Sequence, residues 1–334
     1  MSFMRIIAAV AALLLWCAPS LHAQEVPAPT ATAGTIPGLT ELASLPVEVD
    51  VAEGSLRLVN LYRVQARILL DEAGQPEERV VARLVEEVFT PYPEFWAGYL
   101  GDEAAFRRWA PALLDPDHPI HDRLPVLLAL DLDRQFEDAV EWMESTTGRR
   151  PAGRWYILFG PGWTNMGGLG DGRMLADFSN MPPDSAQIAG LLPHELTHQV
   201  HKVAEVDDPD GGTVLYRILA EGLACYAAWV HAAGQRTPAW AVSFNERQWD
   251  WALEHEEALW EAAQSILASR DRADTDLVSH RGRQLIPGSP GAAGYFLGFR
   301  MVQAYVAAHG PDSWHEILEM PVAQVLARSG YTGR

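Results

Sequence analysis

Positive charge is scarce in this chain: 25 Lys and Arg stand against 44 Asp and Glu, for a net charge of −19 and a pI near 4.9. Lys202 is the only lysine. An acidic surface repels phosphate backbones and anionic lipid, which excludes nucleic-acid binding and argues against attachment to a membrane surface. Cysteine is also scarce, with Cys17 and Cys225 the only two. Long hydrophobic runs are missing too. The longest near the N-terminus, Ile6 to Cys17, has twelve residues, too few to span a bilayer comfortably. No Gly-Lys-Ser/Thr enters a helix after the glycine stretch "PGWTNMGGLGDGR", so that stretch is not a phosphate-binding loop and reads as a strand connection.

What is present begins with a leader. Arg5, the apolar run and the Leu21-His22-Ala23 stretch before Gln24 predict a secretory signal peptide over residues 1–23. The mature chain is therefore expected to be exported, periplasmic or secreted, with no stable membrane insertion. Cleavage would leave Cys225 alone, so no internal disulfide is expected and stability must come from packing. Residues 24–50, rich in Pro, Ala, Thr and Gly, predict a flexible linker. Over 51–150 the apolar residues recur at three- and four-residue spacing, as in "LRLVNLYRVQARILLDEAG" and "LLALDLDRQFEDAVEWMESTTG", which predicts a helical N-terminal region. Two short β-prone runs follow, "RWYILFG" and "MLADF", and the chain is helical again from Pro183. The expected fold is mainly α, of the α+β kind, with a small antiparallel or mixed sheet just ahead of a histidine-rich helix.

That helix carries "LLPHELTHQVH", Leu191 to His201. His194-Glu195-Leu196-Thr197-His198 matches H-E-x-x-H. Residues four apart on a helix lie about 40° apart around its axis, so the two imidazoles share a face and can grip one ion. Neutral imidazoles suit zinc, and Glu195 stands where its carboxylate can take a proton from a metal-activated water. Asp184 is the expected N-cap. Leu192, Leu196, Val200 and Val203 form an apolar stripe opposite His194, His198 and His201. A merely solvated face would ordinarily carry Glu, Lys or Arg rather than three histidines. Pro193 lacks an N–H, so either the helix kinks there or its main part starts there.

Downstream, "ILAEGLACYAAWV" is apolar or glycine except for Glu221. A helix apolar all round is buried, and a lone buried carboxylate needs compensation, from a metal or from an arginine such as Arg217 or Arg300. Gly222 would let another backbone approach closely. Several weaker candidates accompany this core. His201 is expected beside the site rather than in it, and Cys225 as a small buried residue. Asp207, Asp208 and Asp210 fit a solvated turn better than a calcium loop. Tyr295, in "GAAGYFLGF", is the first choice as donor to a developing oxyanion because its neighbours are small; His280 and Arg281 are alternatives.

H-E-x-x-H followed by a helix bearing Glu resembles the gluzincin group of zinc metallopeptidases. "HELTH" with "AEGLACY" and the later "GYFLGFRMV" resembles, more narrowly, a poorly characterised bacterial family of predicted zinc-dependent proteases, over about Trp155 to Tyr331. The resemblance implies a zincin-like metallopeptidase domain over 151–334. It further implies zinc held by His194, His198 and Glu221, Glu195 as general base, and a peptide or protein substrate. It also implies that a strand such as Met174–Phe178 could line the cleft and pair with extended substrate. One departure stands out: 22 residues separate His198 from Glu221, against about 18 or 19 in thermolysin-like enzymes. Two other readings stay open, a zinc-stabilised binding protein without turnover and a zinc hydrolase of a non-peptide amide.

Overall fold

The computed structural model describes residues 44–334 except 170–171, 182 and 206–207, together with the side chains of those residues other than 128–129 and 202–205. The signal-peptide reading and most of the linker reading lie outside the described residues.

A five-stranded sheet in the order β1-β2-β3-β5-β4 underlies the site. Its strands are β1 (Glu48–Val51), β2 (Leu56–Asn60), β3 (Gly153–Leu158), β4 (Met166–Gly168) and β5 (Arg173–Asp177). The β1–β2 and β4–β5 pairs are antiparallel, whereas β2–β3 and β3–β5 are parallel. The sheet is thus mixed and small, and the protein is mainly helical around it. "LRLVN" differs from its helical reading. Leu56–Asn60 is a strand that runs straight into helix α1 (Leu61–Asp71), because Leu56, Leu58 and Val59 are buried against the core before the helical spacing takes over. Residues 48–50, read as the end of a linker, and Val51, read as the start of the helical region, form the neighbouring strand.

Helix α2 (Leu132–Thr147) starts on the Asp131 side chain, which accepts from the Arg134 N–H, and stops at left-handed Gly148. Helix α3 (Ser185–Glu205) starts on Asp184, which accepts from the Gln187 N–H at 2.7 Å. It continues through Pro193 without a break, and the Thr197 hydroxyl donates to the Pro193 carbonyl at 2.7 Å. Leu192, Leu196 and Val200 are buried, as the apolar stripe requires; the Val203 side chain lies outside the described set. Helix α4 (Val214–His231) is capped by Thr213 and buried along most of its length. Helix α5 (Ala293–His309) packs on α4 and ends at Gly310. The core is aromatic-rich, with Trp96, Trp155, Trp314, Tyr62 and Tyr305 among its largest fully buried side chains. Among the described residues no helix is long and apolar enough to cross a membrane.

Strand β5 corrects one expectation. "MLADF" is covered on both sides, by β3 and by β4, so it has no free edge for substrate. The edge belongs to β4, whose Met-Gly-Gly sequence has little β propensity of its own and is held in the sheet by pairing.

Candidate metal centre

Three donors converge where α3 crosses α4. His194 Nε2 lies 3.2 Å from His198 Nε2, and the two stand 3.4 and 3.3 Å from Glu221 Oε2. The three residues form a group that could hold a metal ion, with one donor atom from each lying within 4.8 Å of the others. Zinc–nitrogen bonds of about 2.0–2.1 Å in tetrahedral geometry put neighbouring donors about 3.3 Å apart. The observed spacings therefore fit a zinc ion, and so do the donor types. Glu221 is buried and the two histidines are partly buried, and the second carboxylate oxygen, Oε1, accepts from Arg217 at 3.1 Å. The two ways of compensating a lone buried carboxylate coexist here: one oxygen faces the histidines, the other an arginine. Arg300 is engaged elsewhere, with Glu256 at 3.0 Å.

Electrostatics follow from this packing. Burial alone would raise the Glu221 carboxyl, but the charge of His198 and hydrogen bonds from His194 and His198 hold it well below the usual range. Burial would lower His198, yet Glu221 and Glu195 hold it above its ordinary value. Glu195 is 8% exposed and accepts no hydrogen bond from any described residue. Its pKa is raised by burial, opposed by His194 and His198 and reinforced by Glu221. A carboxylate without donors, at the edge of a cleft, is a good proton acceptor for a group that arrives there.

The surrounding residues sort clearly. The Tyr295 ring lies parallel to that of His194, centroids 6.2 Å apart and planes within 7°. Burial pushes its phenol well above the usual range, and the Glu221 charge and hydrogen bond add to this, so it stays protonated. Cys225 Sγ lies 3.7 Å from His194 Nδ1, the ring nitrogen turned away from Glu221. Cys225, one turn beyond Glu221, is buried as expected, and it also faces His194. His201 is outside the trio, buried and stacked on Tyr216. His280 is exposed and turned to its own loop, accepting from the Gly282 N–H. The Arg281 guanidinium lies over the Tyr295 ring, 5.7 Å from its centroid. Asp208 uses its carboxylate on the Asp210 and Val322 N–H groups, as a turn residue does; Asp207 lies outside the described residues.

The trio, Glu195, Cys225, Tyr295 and Arg281 face one cleft of about 1190 Å³. Its floor is α3 and α4. The segment Thr164–Gly168, including β4, lines one wall, and Trp240 and Phe244 stand on another. Trp240 packs against Gly190, one turn before His194, where any side chain would collide with the indole.

A family model described as "Predicted Zn-dependent protease (DUF2268)" matches residues 161–327, half of the chain, and spans every residue of the trio. No curated protein and no solved structure matches the chain.

Proposed function

Since the chain belongs to this family of predicted zinc-dependent proteases, we propose that it hydrolyses peptide bonds in an extended substrate laid along the cleft, with His194, His198 and Glu221 holding the zinc. When bound there, zinc supplies Lewis acidity, polarising a carbonyl and making water acidic enough to lose a proton near neutral pH. Glu195 accepts that proton as the water attacks the peptide carbonyl, then delivers it to the departing amine. Its burial and raised pKa strengthen it as the acceptor in the first half of the transfer. Tyr295, protonated and stacked beside His194, donates a hydrogen bond to the carbonyl oxygen as negative charge builds on it. Cys225 accepts from the Nδ1–H of His194 and so presents Nε2 toward the centre.

Strand β4 supplies the backbone rail. Asp177 N–H donates to Asn165 and Leu169 N–H donates to Arg173, so residues 165, 167 and 169 face β5. By antiparallel alternation the backbone groups of Met166 and Gly168 face away from β5; those of Met166 are held by Asn165 Oδ1 and the Thr164 hydroxyl, which leaves those of Gly168 to pair with a substrate strand irrespective of its side chains. The signal-peptide pattern of residues 1–23 supports action outside the cytoplasm.

The single observation behind this reading is a buried, donor-free Glu195 beside three donors spaced as zinc ligands are. The test is to incubate zinc-loaded protein with a diverse peptide mixture and identify new termini by mass spectrometry. Glu195→Gln and Glu221→Gln run in parallel, and zinc content is measured for all three. Wild type is expected to cleave. Glu195→Gln should keep its zinc and slow by about 10²–10⁴-fold, whereas Glu221→Gln should lose zinc. Zinc-loaded wild type that cleaves nothing, or Glu195→Gln that cleaves as well as wild type, defeats the reading.

A further inference from the structure

The charge of the cleft runs against that of the chain. Although acidic residues outnumber basic ones 44 to 25, the cleft walls carry Arg173, Arg217, Arg236 and Arg281 against three carboxylates, Asp184, Glu195 and Glu221. Two of those carboxylates belong to the catalytic centre. Arg217 is occupied by Glu221. Arg281 is not so occupied: among the described residues it has no carboxylate partner, and its recorded contact is with the Tyr295 ring.

Two features make Arg281 a built element rather than a stray surface charge. Its backbone is pinned, because Gly291 packs directly on the Arg281 carbonyl with no room for a side chain, and the Ala292 N–H donates to His280 at 3.2 Å. Its guanidinium is steered by the face of Tyr295, which itself lies against His194. Guanidinium is always charged and presents a planar fork matched to a carboxylate. An exposed ion pair is worth little in water, but a peptide seated in the cleft would cover Arg281 and strengthen the pairing.

We propose that Arg281 is a specificity residue that recognises a substrate carboxylate close to the scissile bond. Two ring contacts, of 5.7 and 6.2 Å, link its guanidinium to His194, so the two are separated by no more than about three or four extended residues. The carboxylate can come from an Asp or Glu side chain or from the C-terminus of a short peptide. The inference rests on the cleft being the substrate site, as proposed above.

The test uses zinc-loaded full chain and matched peptides built around a bond the enzyme cuts. One pair carries Glu or Gln next to that bond; the other ends in a free acid or an amide two residues beyond it. Wild type should favour the acidic member of one pair by about tenfold in kcat/KM, mainly through KM. The pair that responds identifies the source of the carboxylate. Arg281→Gln should erase that preference and Arg281→Lys should restore part of it. A second readout does not need turnover: calorimetric titration of Glu195→Gln protein with the same peptides should show the same preference, weakened by salt and lost in the Glu195→Gln/Arg281→Gln double variant. Equal treatment of both pairs by wild type, or a preference unchanged by Arg281→Gln, overturns the proposal while leaving the protease reading intact. If no peptide is cut, the protease reading fails and the titration alone judges Arg281: a lost preference supports it, and none overturns it.

Discussion

Gly222 of α4 and Gly298 of α5 meet backbone to backbone. A Cβ on Gly222 would fall within the Gly298 main chain, and a Cβ on Gly298 would fall on the Ile218 carbonyl. Glu221 immediately precedes Gly222, and Tyr295 lies three residues before Gly298 on the same helix. The close crossing is therefore what brings a proposed oxyanion donor to a proposed zinc ligand.

Gly222→Ala must push the two helices apart. Alanine favours a helix by up to about 1 kcal/mol over glycine. Overpacking at a backbone contact costs about 1–3 kcal/mol, and the cost should win. The expected result is a lower denaturant midpoint together with weaker zinc binding, since Glu221 moves with its helix. Chemical denaturation and chelator competition on the same samples check it; an unchanged midpoint would mean the helices separate freely.

Cys225→Ala removes the partner of His194 Nδ1 while keeping a small buried side chain. Partners of this kind usually tune metal affinity by about 10–100-fold, and a thiol is a weak acceptor, so a loss near tenfold is expected. Cys225→Ser should recover part of it. Competition with a chromophoric chelator measures both; equal affinity in all three proteins would mean that His194 needs no orienting partner.

Asp177 should be among the least tolerant positions outside the cleft. Its carboxylate is fully buried and accepts from the Gly160, Gly162 and Ser179 N–H groups and the Tyr99 hydroxyl. Asp177→Asn turns an NH2 group toward donors, leaving at least one unpaired, which costs about 3 kcal/mol. A thermal or urea unfolding curve would show it. Because Asp177 ties down the loop leading to β4, weaker peptide cleavage should accompany the loss.

Much of the centre was legible because each element breaks a local rule. Three histidines on one helical face and one carboxylate in an otherwise apolar helix are both costly without a cation, and small residues around Tyr295 and at Gly222 signal close approach. Other features carried no such signal. Whether Arg217 or the histidines compensate Glu221 cannot be read from spacing, since α4 lets one oxygen meet each. "MGG" has no strand signature, so "MLADF", whose pattern is stronger, is the strand the sequence offers for the cleft, yet both its sides are taken. "LRLVN" continues into α1 without a turn residue, and only its pairing with Gly153–Ile157 shows where the strand ends.

His201 gives the pH dependence a defined sign. It is 2% exposed and stacked on Tyr216, and burial, with the His198 charge adding, lowers its pKa to about 4 from an ordinary 6.5. The folded protein keeps the ring neutral, so between those values the unfolded chain binds more protons. Stability from this residue is present above pH 6.5 and is lost as pH falls toward 4. At about 1.4 kcal/mol per pH unit it amounts to about 3 kcal/mol. His198, held high by Glu221, acts in the opposite direction, losing its contribution as pH rises. Comparing wild type with His201→Phe, both stripped of metal, cancels that second effect. Urea midpoints measured from pH 7.5 to pH 4.5 should fall less for His201→Phe than for wild type. Parallel falls would show that His201 gains a proton without cost, and so that its pocket opens to water well before the protein unfolds.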